Sequence, residues 1–76
     1  MSYLLPLFQR LNAVGPGHYV YDKAMIESII NRRLPDYLLQ YRVAWYSKWI
    51  EKLKRQYNVY VADVSYNGQF IVFKVY

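Results

Sequence analysis

The dipeptide Asn67-Gly68, set inside a run of alternating side chains over residues 58–76, constrains this chain more than any other feature. Asn-Gly is the strongest two-residue hairpin signal, because a type I′ turn needs positive φ at both central positions. Pairing Tyr66 with Gln69 sets the register. One face of the arms then carries Tyr60, Ala62, Val64, Ile71, Phe73 and Val75, and the other carries Val61, Asp63, Ser65, Phe70, Val72 and Lys74. The first face is expected in the core. A lone hairpin is marginal in water, so the rest of the chain must cover it.

That cover is helical. Leu4, Phe8 and Leu11 recur at helical spacing, with Ser2 placed to cap and Pro6 tolerable only in a first turn. The pattern predicts a helix reaching Val14 and ended by Gly15-Pro16-Gly17. His18-Tyr19-Val20-Tyr21 reads as a short extended piece or an edge strand. Asp22 stands where an N-cap is needed, ahead of a second helix over residues 23–33 whose apolar stripe is Met25 or Ile26 with Ile29 and Ile30. Leu34-Pro35 stops it, and residues 36–41 form a connector in which Asp36 is placed to cap a turn. The strongest helix is expected over residues 42–56. Val43, Tyr46, Trp49, Ile50, Leu53 and Tyr57 fall within about 120° of one another on a helical wheel, and Tyr41, Lys48, Lys52 and Arg55 fall opposite. Trp45 lies at the boundary, and Glu51 is the only acid among the outward residues.

With 76 residues, 55% of them hydrophobic, and no internal repeat or linker, the chain reads as a single α+β domain over residues 1–76. A domain of this size buries only about 60% of its unfolded surface, so ten tyrosines, three phenylalanines and two tryptophans must supply much of the core. The absence of cysteine excludes a disulfide scaffold, a thiolate metal site and a cysteine nucleophile. His18, the only histidine, has no acid near it except Asp22, and five scattered carboxylates show no ligand spacing. No glycine-rich phosphate loop is present. The chain is therefore expected to bind rather than catalyse, with no metal and no cofactor. Tyr3-Leu4-Leu5-Pro6-Leu7-Phe8 has no basic residues before it and is cut by a proline, so neither a signal peptide nor a membrane span is expected, and the cytoplasm is the expected compartment.

Charge indicates what is bound. Between residues 32 and 55 lie Arg32, Arg33, Arg42, Lys48, Lys52, Lys54 and Arg55 against only Asp36 and Glu51, which is the whole +5 of the chain. A localised basic segment is the footprint of a polyanion binder, because neutralising phosphates releases condensed counterions. The bland counterpart is a solvated face that keeps a hydrophobic protein in solution.

The order helix, extended piece, helix, connector, long basic helix, hairpin resembles the winged-helix family, most closely response-regulator effector domains and small helix-turn-helix proteins of phages. Tyr3-Leu4-Leu5, Gly17-His18-Tyr19-Val20-Tyr21, Asp22-Lys23-Ala24-Met25-Ile26 and the run from Val43 through Trp45, Lys48, Lys52 and Arg55 carry the likeness. The resemblance implies double-stranded DNA as partner and transcriptional regulation as function, with Arg42, Trp45, Lys48 and Lys52 facing the major groove and Lys54 and Arg55 nearer the phosphates. It also implies a homodimer, since two half-sites give useful specificity. The hairpin tip Tyr66-Asn67-Gly68-Gln69 carries no charge, unlike wings that enter the minor groove through Arg or Lys. That tip, with a surplus of tyrosines (Tyr19, Tyr21, Tyr37, Tyr41, Tyr60, Tyr66 and Tyr76), supports an alternative in which the fold binds an acidic protein. Aromatic and basic residues together also suit single-stranded RNA.

Overall fold

Proline in a first turn and glycine beyond a last one delimit the opening helix. A computed structural model of the chain describes residues 3–76. Helix α1 spans Leu5–Val14 with Pro6 in its first turn, buries Leu7, Phe8 and Leu11, and ends at Gly15, whose φ of 92° favours glycine. The Ser2 cap lies outside the described residues. Strand β1, Gly17–Asp22, leads directly into α2, Lys23–Ile30, and the Asp22 carboxylate accepts the Met25 N–H at 2.7 Å as an N-cap should.

Helix α2 is shorter than residues 23–33, because Asn31 takes the left-handed conformation, φ 57° and ψ 40°, and closes it. The stripe is Ile26 and Ile30, with Ile29 half-buried against the core and Met25 exposed. Past the turn, the Glu27 carboxylate accepts the Leu34 N–H at 2.8 Å. The connector contains a short helix α3, Tyr37–Gln40, that buries Leu38 and Leu39; Asp36 contributes its carbonyl to the Leu39 and Gln40 N–H groups rather than a side-chain cap.

The long helix expected over residues 42–56 is two pieces. A 3₁₀ turn covers Arg42–Tyr46, Ser47 is extended at φ −61° and ψ 151°, and α4 covers Lys48–Tyr57. The break resets the faces. With about three residues per turn before Ser47 and 3.6 after it, a single helical wheel cannot hold. Val43 is 68% exposed and Tyr46 lies outside, while Trp45 is fully buried.

Strands β2, Val59–Ser65, and β3, Phe70–Val75, form the expected hairpin, and β1 adds to its other side to give the antiparallel order β1-β3-β2. Ser65 pairs with Phe70, and Tyr66 accepts the Gln69 N–H at 3.2 Å. The turn is not type I′. Positive φ falls on Gln69, at 52°, and not on Asn67 or Gly68, so the loop is the four-residue kind. Gly68 is required by space instead, because a Cβ there would lie 2.5 Å from Cε2 of Phe70.

A bulge at Ala62 shifts the β2 register between Val61 and Asp63. One extra residue turns every side chain before it to the opposite face. The core face is therefore Val59, Val61 and Val64 on β2 with Ile71, Phe73 and Val75 on β3, and the expected Tyr60 and Ala62 are replaced there by Val59 and Val61. The result is a small α+β structure whose core joins this sheet face to Leu4, Leu7, Phe8, Leu11, Ile26, Leu38, Ile50 and Leu53. At its centre the Trp45 ring meets Phe8 at 6.5 Å and Phe73 at 5.7 Å, both edge to face. Among the described residues no helix is long and apolar enough to cross a membrane.

Candidate functional site

Helix α4 faces two ways. Ile50 and Leu53 point inward; Lys48, Lys52 and Arg55 follow one another along the outward side, and all three are exposed. The Ser47 carbonyl accepts the Glu51 N–H at 2.8 Å to start the helix, and Asn58, left-handed at φ 57°, closes it by donating to the Arg55 and Lys54 carbonyls. Lys54 and Arg55 stand in the last turn, where the helix dipole favours cations. No ion pair among the described residues engages Lys48, Lys52 or Arg55.

One flank of this cationic ridge is built on Tyr46. Lys54, only 5% exposed, places its ammonium 2.7 Å from Glu51 Oε1 and 4.2 Å from the centre of the Tyr46 ring. The Tyr60 hydroxyl acts on the Tyr46 hydroxyl and pushes its pKa up. Tyr46, Lys48, Glu51, Lys52 and Arg55 line a cleft of about 310 Å³. A second cleft of about 300 Å³ shares Tyr46, Glu51 and Arg55 and continues past Asn58 and Tyr60 to Tyr76.

The other flank is built on Trp49. Its ring lies 5.3 Å from Tyr3, and the Arg32 guanidinium sits 4.4 Å above the Tyr3 ring. Burial first, and then the neighbouring Tyr37 hydroxyl, push the Tyr3 pKa from 10.0 to about 12, against the pull of Arg32. The folded state therefore holds a proton that the unfolded chain gives up near pH 10, and stability falls as pH rises from 10.0 to about 12. Tyr3→Phe should lack this part of the alkaline decline. Urea midpoints of the two proteins through that window test it, and parallel curves would refute the assignment.

Of the residues expected to bind, Lys48, Lys52 and Arg55 come together on one exposed face. Arg42 is exposed beside them, and its Nη1 donates to the Ala62 carbonyl at 3.3 Å, the group at the β2 bulge. Trp45 does not face outward: it is fully buried and its Nε1 donates to the Leu38 carbonyl at 2.8 Å. Lys54 is likewise withdrawn, since burial and the Glu51 pair occupy the ammonium. Among the tyrosines, Tyr37, Tyr41, Tyr60, Tyr66 and Tyr76 are exposed; Tyr21 is buried against Phe73, and Tyr19 turns its hydroxyl to the Gly15 carbonyl at 2.8 Å. Tyr46, expected in the apolar stripe, and Glu51, expected as the only acid on the outward side, both join the site. Ser47, a cap-forming residue inside an apparent helix, was the available signal for Tyr46, and the Glu51-to-Lys54 spacing was the signal for a neutralised acid. His18 is exposed on β1, and no group of three or more His, Asp or Glu able to hold a metal occurs among the described residues.

No protein-family model, curated protein or solved structure matches the chain.

Proposed function

We propose that the protein is a small winged-helix DNA-binding protein, a transcriptional regulator acting by occupancy, with α4 in the major groove and the β2–β3 hairpin as the wing. The observation that carries this reading is the exposed row Lys48, Lys52 and Arg55, free of ion-pair partners among the described residues, on the helix that leads into the hairpin. The sheet order β1-β3-β2 and the sequence of elements support the same reading. Lysine holds a phosphate as a point charge and arginine adds a fork of donors, so the row suits the duplex backbone first. Arg42 extends it toward the hairpin. The uncharged tip Tyr66 to Gln69 leaves the wing to rest on the backbone rather than enter the minor groove. A homodimer on two half-sites would supply site selection.

Fluorescence anisotropy of a labelled duplex, titrated at several salt concentrations, tests the reading. The native protein should bind with a steep salt slope, and Lys48→Ala, Lys52→Ala and Arg55→Ala together should flatten that slope by about three units. Affinity weaker than about 10⁻⁴ M at physiological salt would retire DNA as the partner. That outcome would favour a second reading, supported by the exposed Tyr37, Tyr41, Tyr46, Tyr60, Tyr66 and Tyr76, in which the basic and tyrosine-rich surface binds an acidic protein.

A further inference from the structure

Glu51 is the anomaly on the α4 ridge. It lines the first cleft among Lys48, Lys52 and Arg55 and the second beside Arg55, where a carboxylate repels the phosphates its neighbours attract. It is also held in place. Lys54 grips Oε1 at 2.7 Å, and Lys54 is itself buried and fixed against the Tyr46 ring, so one oxygen of the carboxylate is anchored and the other retains its acceptor capacity.

On DNA an acceptor finds few partners. Phosphates and sugar ring oxygens only accept, and the ring N–H groups of the bases are consumed in pairing. The donors left on a duplex are the exocyclic amino groups: cytosine N4 and adenine N6 in the major groove and guanine N2 in the minor groove. A helix fits the major groove, which leaves cytosine and adenine. Adenine sets the N7 acceptor beside N6, and guanine shows only N7 and O6 there, so both turn a lone pair toward a carboxylate. Cytosine does not.

Resting on the DNA-binding reading above, we infer that Glu51 is the specificity-determining residue of this surface and accepts a hydrogen bond from cytosine N4, with Lys54 as the positioning residue that holds it. The flanking cations set affinity for any duplex, and Glu51 chooses among duplexes.

Selection of bound duplexes from a randomised pool tests the inference, with a melting curve on each variant. The native protein should enrich cytosine at one position by roughly tenfold. Glu51→Gln, whose amide pairs with both N6 and N7 of adenine, should move that position to adenine and bind the unselected pool more tightly, because a repulsive charge is gone. A measurement on the native protein needs no variant to fold: replacing the selected cytosine by thymine, which presents O4 in place of the N4 amine, should weaken binding about tenfold. Duplex binding without a cytosine position, or a cytosine preference unchanged in Glu51→Gln, overturns the inference and leaves DNA binding intact. Failure of the native protein to retain any duplex removes the DNA-binding reading, and the inference goes with it.

Discussion

Trp45→Ala should remove a large share of the protein's stability and shift its urea midpoint far below the native value. At the usual stability per residue a chain of this length has a total of about 4–11 kcal/mol, and removing a fully buried tryptophan costs about 3–5 kcal/mol. Trp45 loses more than area in this exchange. Its edge-to-face contacts with Phe8 and Phe73 join α1 to the sheet, and its Nε1 satisfies the Leu38 carbonyl of α3, so the substitution detaches three elements together. Trp45→Phe separates the contributions: it keeps most of the ring, leaves the Leu38 carbonyl without its donor and should cost about 1–3 kcal/mol. Urea unfolding followed by circular dichroism measures both. A native midpoint for Trp45→Ala would mean that the core is not organised around this ring.

Deletion of Ala62 should be nearly as damaging, although the residue lost is a half-buried alanine. Without the bulge β2 pairs with β3 in one uninterrupted register, and residues 59–61 exchange faces. Val59 and Val61 leave the core at about 1.5–3 kcal/mol each, and Tyr60 brings a hydroxyl inward where no partner awaits it. Keeping residues 59–61 in place offers no escape, because Val64 then turns outward. The Arg42 guanidinium also loses the Ala62 carbonyl. Ala62→Ser, which preserves chain length, should unfold close to the native midpoint, and equal midpoints for the deletion and the substitution would show that the bulge carries no such burden.

Both sites were illegible in the sequence for physical reasons. What could be read was whatever local chemistry decides: Asp22 as a cap, Pro6 in a first turn, Gly15 beyond the last, and a hairpin centred on Asn67-Gly68. A bulge leaves no trace in alternation, because Val59, Tyr60 and Val61 are all acceptable on either face until packing selects. The break at Ser47 was hidden by an apolar periodicity that runs through it. Val43 and Tyr46 fit the stripe of Ile50 and Leu53 on a wheel that the backbone does not follow. The wheel left Trp45 at the boundary and the winged-helix resemblance turned it toward the groove, whereas the break buries it. Lys48, Lys52 and Arg55 were legible because they lie within one unbroken helix, where residue spacing alone assigns the face. Lys54 was expected near the phosphates and is withdrawn instead: long side chains bury their stems, and only the positions of Glu51 and Tyr46 show that its charge is buried as well.

The strand order carries a consequence for synthesis. The central strand is β3, and both of its neighbours precede it in the chain, so β1 emerges from the ribosome and waits for a partner that begins about 50 residues downstream. Until residues 70–75 are made, neither β1 nor β2 has a hydrogen-bonded neighbour in the sheet. A nascent chain stalled before Phe70 would present two unpaired strands and the apolar underside of α1 and α4 to solvent, which is the state that invites aggregation and chaperone capture. Sheet pairing in this protein therefore waits for the completion of β3.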